Sequence, residues 1–436
     1  HLLYLFFALN SMLISAQEVG LKLAGGIKSE TIPFQLIKNL VVIPVKLNGH
    51  KMNFIVDSGL NETILFGQYN DAINHKALKQ IKLKGLGNND KGTIGYYSSQ
   101  NAMIIGKNFY NLNLPIIIIQ DQDFNLFSRL GIDVHGIIGY DFFRNQPIKI
   151  DYSKQQITFY KSILNVKKLN KYESSNLEIS AEKKPFVEIN FTHKHDFTLQ
   201  KMLIDIGNSD GLWLFEDQLP QLTTPNDAFS DELGKGFSGS INGIRGTIEN
   251  VMIGKYQLNN PLIAIPEKES IQFINIKNNR KGSIGNEILR RFSIILDYNN
   301  AKLYYRSNKN FKDDFHYNRS GLTIIHSDFD WKKEEVKLNM NGKTIQNTTE
   351  SQVNYRFVMK PVYKIEAVRK KSNAEQAGLK PNDQLERLNG KLVNKMTLSE
   401  IEHFMQINEH QEITIDVLRN NQPLKFNFIL NIPFTE

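Results

Sequence analysis

Met52-Asn53-Phe54-Ile55-Val56-Asp57-Ser58-Gly59 is an apolar strand that runs into an aspartate and a glycine, and the chain repeats it as Lys201-Met202-Leu203-Ile204-Asp205-Ile206-Gly207. Each copy has its own lead-in. Val42-Ile43-Pro44-Val45-Lys46-Leu47 precedes the first and turns at Asn48-Gly49, a dipeptide suited to a two-residue hairpin. Phe186-Val187-Glu188-Ile189-Asn190-Phe191 precedes the second and turns through residues 192–196. Downstream, Gly136-Ile137-Ile138-Gly139 answers Gly282-Ser283-Ile284-Gly285, each at nearly the same distance behind its aspartate. Ile148-Lys149-Ile150-Asp151-Tyr152 then answers Ile294-Ile295-Leu296-Asp297-Tyr298. A lone Asp-x-Gly carries little information. Several landmarks in the same order imply an internal duplication.

Both copies are built from short apolar or alternating runs punctuated by Gly, Asn and Pro, the pattern of strands. Helical periodicity is confined to short pieces such as residues 70–78. The expected architecture is all-β and two-lobed, with lobes over residues 30–165 and 180–306. A polar connector is expected over 307–359, with strand-like pieces at Leu322-Thr323-Ile324-Ile325. A third, α+β unit is expected over 360–436. In it, Thr397 with Glu400 forms a helix-starting capping box. Leu398, Ile401 and Met405 share one face of that helix. Leu424, Phe426, Phe428 and Leu430 alternate on a closing strand.

An aspartate at a strand end followed by a small residue and glycine has a chemical use. The glycine allows a turn that a Cβ would obstruct, and the turn projects the carboxylate. Duplication supplies two such loops facing each other about a pseudo-two-fold axis. Two close carboxylates do not both ionise readily, so they share a proton and can act together as base and acid. Asp57 and Asp205 are the candidate catalytic pair. Ser58, Gly59, Gly207, Gly139 and Gly285 are the candidate supporting residues.

Here the pattern resembles the pepsin/retropepsin-like aspartic peptidases, in which a hydrophobic-hydrophobic-Gly motif supports each catalytic loop. Ile137-Ile138-Gly139 fits that motif, and Ser283-Ile284-Gly285 departs from it at a polar Ser283. Ser372-Asn373-Ala374-Glu375-Gln376-Ala377-Gly378-Leu379-Lys380-Pro381-Asn382-Asp383, with Asn389-Gly390, resembles the bacterial PDZ pattern. Asn382 stands where Gly is usual, a mild change because Asn tolerates a left-handed turn. Together the chain looks like the exported aspartyl peptidases with a C-terminal PDZ domain found in Bacteroidetes-type bacteria. The resemblance implies a substrate-covering flap near residues 92–106, where Tyr96 and Tyr97 could line the cleft. It implies an endopeptidase acting on polypeptides as a monomeric unit, with the PDZ-like unit recruiting a peptide or protein C-terminus or regulating the enzyme. The family braces its loops with Ser or Thr after each aspartate. Ser58 fits and Ile206 cannot. The alternative is therefore a catalytically impaired peptide-binding protein, or a scaffold in which only the PDZ-like unit works. No glycine-rich carboxylate-binding loop is evident at residues 355–361.

Composition narrows the remaining classes. The 436-residue chain is 41% hydrophobic and 22% charged, with a net charge of +8 and no cysteine. The basic excess is dispersed, so no nucleic-acid partner is expected. Disulfides, thiolate catalysis and cysteine metal sites are excluded. Residues 1–16, apolar and ending Ile14-Ser15-Ala16, read as a signal peptide with a truncated start rather than a core strand. No later stretch is long and apolar enough to span a bilayer. An exported protein, periplasmic or secreted, is expected. His193 and His195 fall at the second hairpin turn and read as exposed turn residues. Gly236-Phe237-Ser238-Gly239-Ser240 lacks the spacing of a serine nucleophile elbow and reads as a glycine-rich hairpin. Asp151 and Asp297 read as structural turn residues. No cofactor or catalytic metal is expected.

Overall fold

The computed structural model describes residues 20–431 apart from 68–72, 74–77, 89–91, 121–125, 273–278, 336–338, 341–342, 345–354 and 408–409. The proposed signal segment lies outside these residues, as does most of the short helical piece expected at 70–78. Among the described residues no helix is long and apolar enough to cross a membrane.

The duplication is visible strand by strand. Leu40–Leu47 and His50–Val56 form the first hairpin, with Leu47 opposite His50, so Asn48 and Gly49 alone make the turn. Both have positive φ, 48° and 92°, as a tight hairpin of this kind demands. Pro185–His193 and His195–Ile204 form its counterpart. Gly136–Ile138 lies parallel to the end of the first hairpin, with Ile138 opposite Val56. Gly282–Ile284 lies parallel to the second in the same register, with Ile284 opposite Ile204. Each supporting strand is wedged between the aspartate-bearing strand and an antiparallel neighbour, Ile64–Phe66 or Leu212–Leu214.

A third sheet of six strands joins the lobes. At its centre Ile148–Asp151 pairs antiparallel with its own repeat, Phe292–Asp297. Lys149 faces Ile295, its counterpart in the repeat, so the pseudo-two-fold axis passes through that pair. Ile148, Ile150, Ile294 and Leu296 are fully or almost fully buried and belong to one core that spans both lobes. Asp151 and Asp297 close the flanking turns as expected: Ser153 Oγ donates to Asp151 at 2.9 Å and Asn300 Nδ2 to Asp297 at 2.7 Å.

The C-terminal unit has its own sheet and core. Leu322–Glu335 pairs along its length with Tyr355–Val368, and Leu322 and Ile324 are buried with Ile365, Leu385 and Ile401. The sheet thus takes in residues expected to be connector; a polar, solvent-facing strand hid their pairing. Thr397 and Glu400 form the capping box on Leu398–Ile407, where Leu398, Ile401 and Met405 are buried. Asn382 has φ 72°. The adjacent Asp383 is buried and takes a bidentate pair from Arg419 at 2.6 and 2.7 Å.

This unit is tied to both lobes. The helix Leu126–Leu130 of the first lobe packs against Leu322–Glu335. Arg129 bridges Glu366 at 2.9 Å and Glu232 at 3.1 Å. Arg369 reaches Asp231 at 3.3 Å and covers the ring of Phe229. Lys38 pairs with Glu402 at 2.6 Å.

Candidate active site

Asp57 and Asp205 leave the ends of equivalent strands. Their amides are held the same way, Asp57 N–H donating to Ile138 O at 2.9 Å and Asp205 N–H to Ile284 O at 3.0 Å. The supporting glycines permit close approach behind each loop. A Cβ on Gly139 would overlap the carbonyl oxygen of Leu60, and one on Gly285 the carbonyl oxygen of Asp210.

The loops interlock across the axis. A Cβ on Gly207 would overlap the carboxyl group of Asp57, and one on Gly59 would lie 3.0 Å from Asp205 Oδ1. Each carboxylate therefore packs on the glycine of the opposite loop. Gly59 N–H donates to Asp57 Oδ1 at 2.7 Å. Ser58, buried at 1% exposure, donates its hydroxyl to Ile204 O at 2.6 Å and accepts from Ile206 N–H at 3.0 Å. Ile206 makes no reciprocal side-chain bond: it is fully buried in the shared core. Its carbonyl is held instead by Asn286 Nδ2 at 2.6 Å, and Asn286 Oδ1 accepts from the Tyr152 hydroxyl at 2.7 Å. A first-lobe tyrosine thus braces the second loop through an asparagine. Sequence reasoning missed this pair: Asn286 breaks the repeat, and Tyr152, though it lies in a repeated motif, carries no sign there of its partner.

Burial, and then the Asp205 charge, push the Asp57 carboxyl up to about 7, against the opposing pull of the Gly59 and Gly207 amides and Lys184. Burial also raises Asp205, opposed by Arg280, Lys184 and the amides of Gly207 and Asn208. Raised values on two adjoining carboxyls are the condition for a shared proton.

Two hairpin tips, one from each lobe, meet each other. The first joins Lys79–Leu83 to Thr93–Ile105; the second joins Phe229–Gly236 to Gly239–Thr247. Gly236-Phe237-Ser238-Gly239 is thus a hairpin turn. Ser238 N–H donates to Leu86 O at 2.9 Å, and Thr93 Oγ1 donates to Phe237 O at 3.0 Å. The exchange is reciprocal. Leu86 packs with Trp213 and Phe215 of the second lobe, while Phe237 packs with Ile64, Phe66 and Leu60 of the first. Tyr96 and Tyr97 lie on the strand leaving the first tip, not at the tip. Tyr96 packs against the main core, and Tyr97 is 40% exposed.

His193 corrects an expectation. It sits at the turn, but its ring is buried, with Nε2 2.9 Å from Thr223 O and Nδ1 3.3 Å from Glu249. His195 is exposed. Among the described residues no group of three His, Cys, Asp or Glu side chains is placed to hold a metal ion.

No curated protein matches the chain. Basic 7S globulin from soybean is similar over 66% of this chain and 97% of its own, at 10% identity and a TM-score of 0.38. Residues 364–419 match the PDZ domain family, and the C-terminal unit carries a PDZ domain.

Proposed function

We propose that the chain is an exported aspartic-type endopeptidase. Asp57 and Asp205 are its catalytic pair, residues 30–165 and 180–306 its lobes, and Ser58, Gly59, Gly207, Gly139 and Gly285 the frame of its loops. One observation carries this reading: two carboxyls on duplicated loops, each seated against the other loop's glycine, both with raised proton affinity.

With one proton between them, the ionised carboxylate removes a proton from a water molecule as its oxygen bonds to the peptide carbonyl carbon. The protonated carboxyl gives its proton to the carbonyl oxygen. The tetrahedral diol then collapses. Its C–N bond breaks, one hydroxyl proton passes to the ionised carboxylate, and the leaving nitrogen takes the proton that the other carboxyl had drawn from water. The products are a new carboxyl end and a new amine end, and the pair regains its single proton. The clasped hairpin tips fit such chemistry, because closing them over an extended peptide would exclude bulk water. The PDZ domain adds peptide recruitment or regulation, by strand addition at a sheet edge. Action outside the cytoplasm, in the periplasm or secreted, belongs to the same proposal; fractionating cells that express the full-length protein tests it.

Unstructured protein substrate incubated with wild type, Asp57→Asn and Asp205→Asn from acid to neutral pH tests the activity. Cleavage by wild type alone is expected, blocked by a transition-state-analogue inhibitor of aspartic peptidases. Cleavage surviving both substitutions would exclude the pair. Absence of cleavage under all conditions would favour a peptide-binding role.

A further inference from the structure

The repeat is broken in charge at two matched positions. Arg280 stands as far before Gly285 as Val134 stands before Gly139, and Lys184 as far before Phe186 as Leu40 before Val42. The strand pairing supports this match, because Val42 faces Ile55 and Phe186 faces Leu203, each two residues before its aspartate. In the first lobe Leu40 and Val134 join one apolar cluster around Val42 and Ile55. In the second lobe the corresponding place holds two cations.

Both cations belong to the aspartate site. Arg280 is 7% exposed, its Nε–H donates to Gly282 O at 3.0 Å, and its guanidinium lies over the Phe215 ring with the ring centre 4.9 Å away. Phe215 belongs to the cluster under the second hairpin, where Leu86 of the opposite tip also packs. Arg280 and Lys184 are the counter-charges acting on Asp205, and Lys184 also acts on Asp57. Among the described residues neither cation has a carboxylate within ion-pairing distance; the other carboxylate acting on Lys184 is that of the exposed Glu62. Residues 273–278, which precede Arg280 closely, include no acid. A buried cation without a paired anion is costly and marks a place for one. A dyad sharing one proton carries about one negative charge against these two positive ones. Among the described residues the deficit is one anion.

Resting on the peptidase reading, we propose that Lys184 and Arg280 form a cationic subsite that binds a substrate carboxylate next to the scissile bond, while the matching first-lobe pocket of Leu40 and Val134 takes an apolar side chain on the other side. The carboxylate comes from an Asp or Glu side chain or from the substrate's chain end. Arg280 supplies a planar fork of donors for it and Lys184 a point charge.

The test uses the full-length protein and a diverse peptide library, with cleavage sites read by mass spectrometry. Cleavage between an apolar and an acidic residue is expected. In matched peptides, Glu→Gln at the acidic position should lower kcat/KM about tenfold or more, the worth of a charge-assisted hydrogen bond. Amidating the peptide end separates the two sources: loss on amidation instead of on Glu→Gln assigns the chain end. The Glu/Gln ratio should fall towards one in Arg280→Met and Lys184→Met, recover in part in Arg280→Lys, and favour Lys over Glu in Arg280→Glu. Circular dichroism melts check that these variants fold. Equal cleavage of Glu, Gln and amidated peptides by wild type would overturn the subsite and leave the peptidase reading standing. If no peptide is cleaved, the peptidase reading fails, and fluorescence anisotropy with the same peptides decides the subsite. Tighter binding of the carboxylate-bearing peptide that Arg280→Met abolishes supports it, and equal binding overturns it.

Discussion

Ser58 holds the backbone of Ile206: its hydroxyl accepts the Ile206 amide at 3.0 Å while donating to the carbonyl of Ile204 at 2.6 Å. One side chain satisfies two buried backbone groups of the opposite lobe. Ser58→Ala should therefore destabilise the protein by about 1–3 kcal/mol, since both groups lose their partner in a dry site. It should also lower kcat about tenfold or more as the Asp205 loop loosens, whereas Ser58→Thr keeps both bonds. Urea unfolding and turnover of one peptide substrate check this; an Ala variant with wild-type stability would show that the bonds contribute nothing.

Burial and Asp205 lift Asp57 to about 7 from an ordinary 3.8. Between those values the folded chain keeps a proton that the unfolded chain has released. Stability contributed by this group therefore falls as pH rises through that window and levels off above about 7. Asp57→Asn removes the dependence. Its melting temperature, relative to wild type, should climb from pH 4 to pH 7. Catalysis needs one proton on the pair, so activity should decline as pH passes about 7. Melting curves of the two proteins that stay parallel across this range would contradict the assignment.

Gly87 sits at the first hairpin tip with φ 125°, and a Cβ there would overlap the backbone of Ser238 in the second. Gly87→Ala should prise the tips apart. Amide exchange at residues 84–88 and 236–239 should quicken together, and KM should rise severalfold. Faster exchange in one tip alone would show that the tips do not act as one clasp.

Arg369 connects the PDZ domain to Phe229–Gly236, the strand that leads to the second tip, through Asp231 and Phe229. Arg369→Ala should increase amide exchange along that strand while leaving Leu398–Ile407 protected. Unchanged exchange there would mean that the domain does not steady the clasp.

Much of this was legible in the chain because duplication writes the same physics twice. The hairpin turns, the aspartate loops, the supporting glycines and the central strand pair all recur, so each copy vouches for the other. What escaped notice is what breaks the repeat. Asn286 stands where the first copy has Tyr140, and it holds the carbonyl of Ile206 on its own loop. Lys184 and Arg280 replace Leu40 and Val134. A comparison of the copies position by position would have flagged all three. The burial of His193 had no such signal, because Thr223 and Glu249 are brought to it only by tertiary folding.

The pairing of Ile148–Asp151 with Phe292–Asp297 has a consequence for synthesis. A nascent chain that has finished its first lobe holds an apolar strand with one edge open until about 130 more residues have left the ribosome. Because Lys149 faces its own counterpart, two such unfinished chains offer each other the edge that each lacks. A fragment ending after Tyr160 should therefore pair with itself, and in the complete chain the second copy covers that edge first.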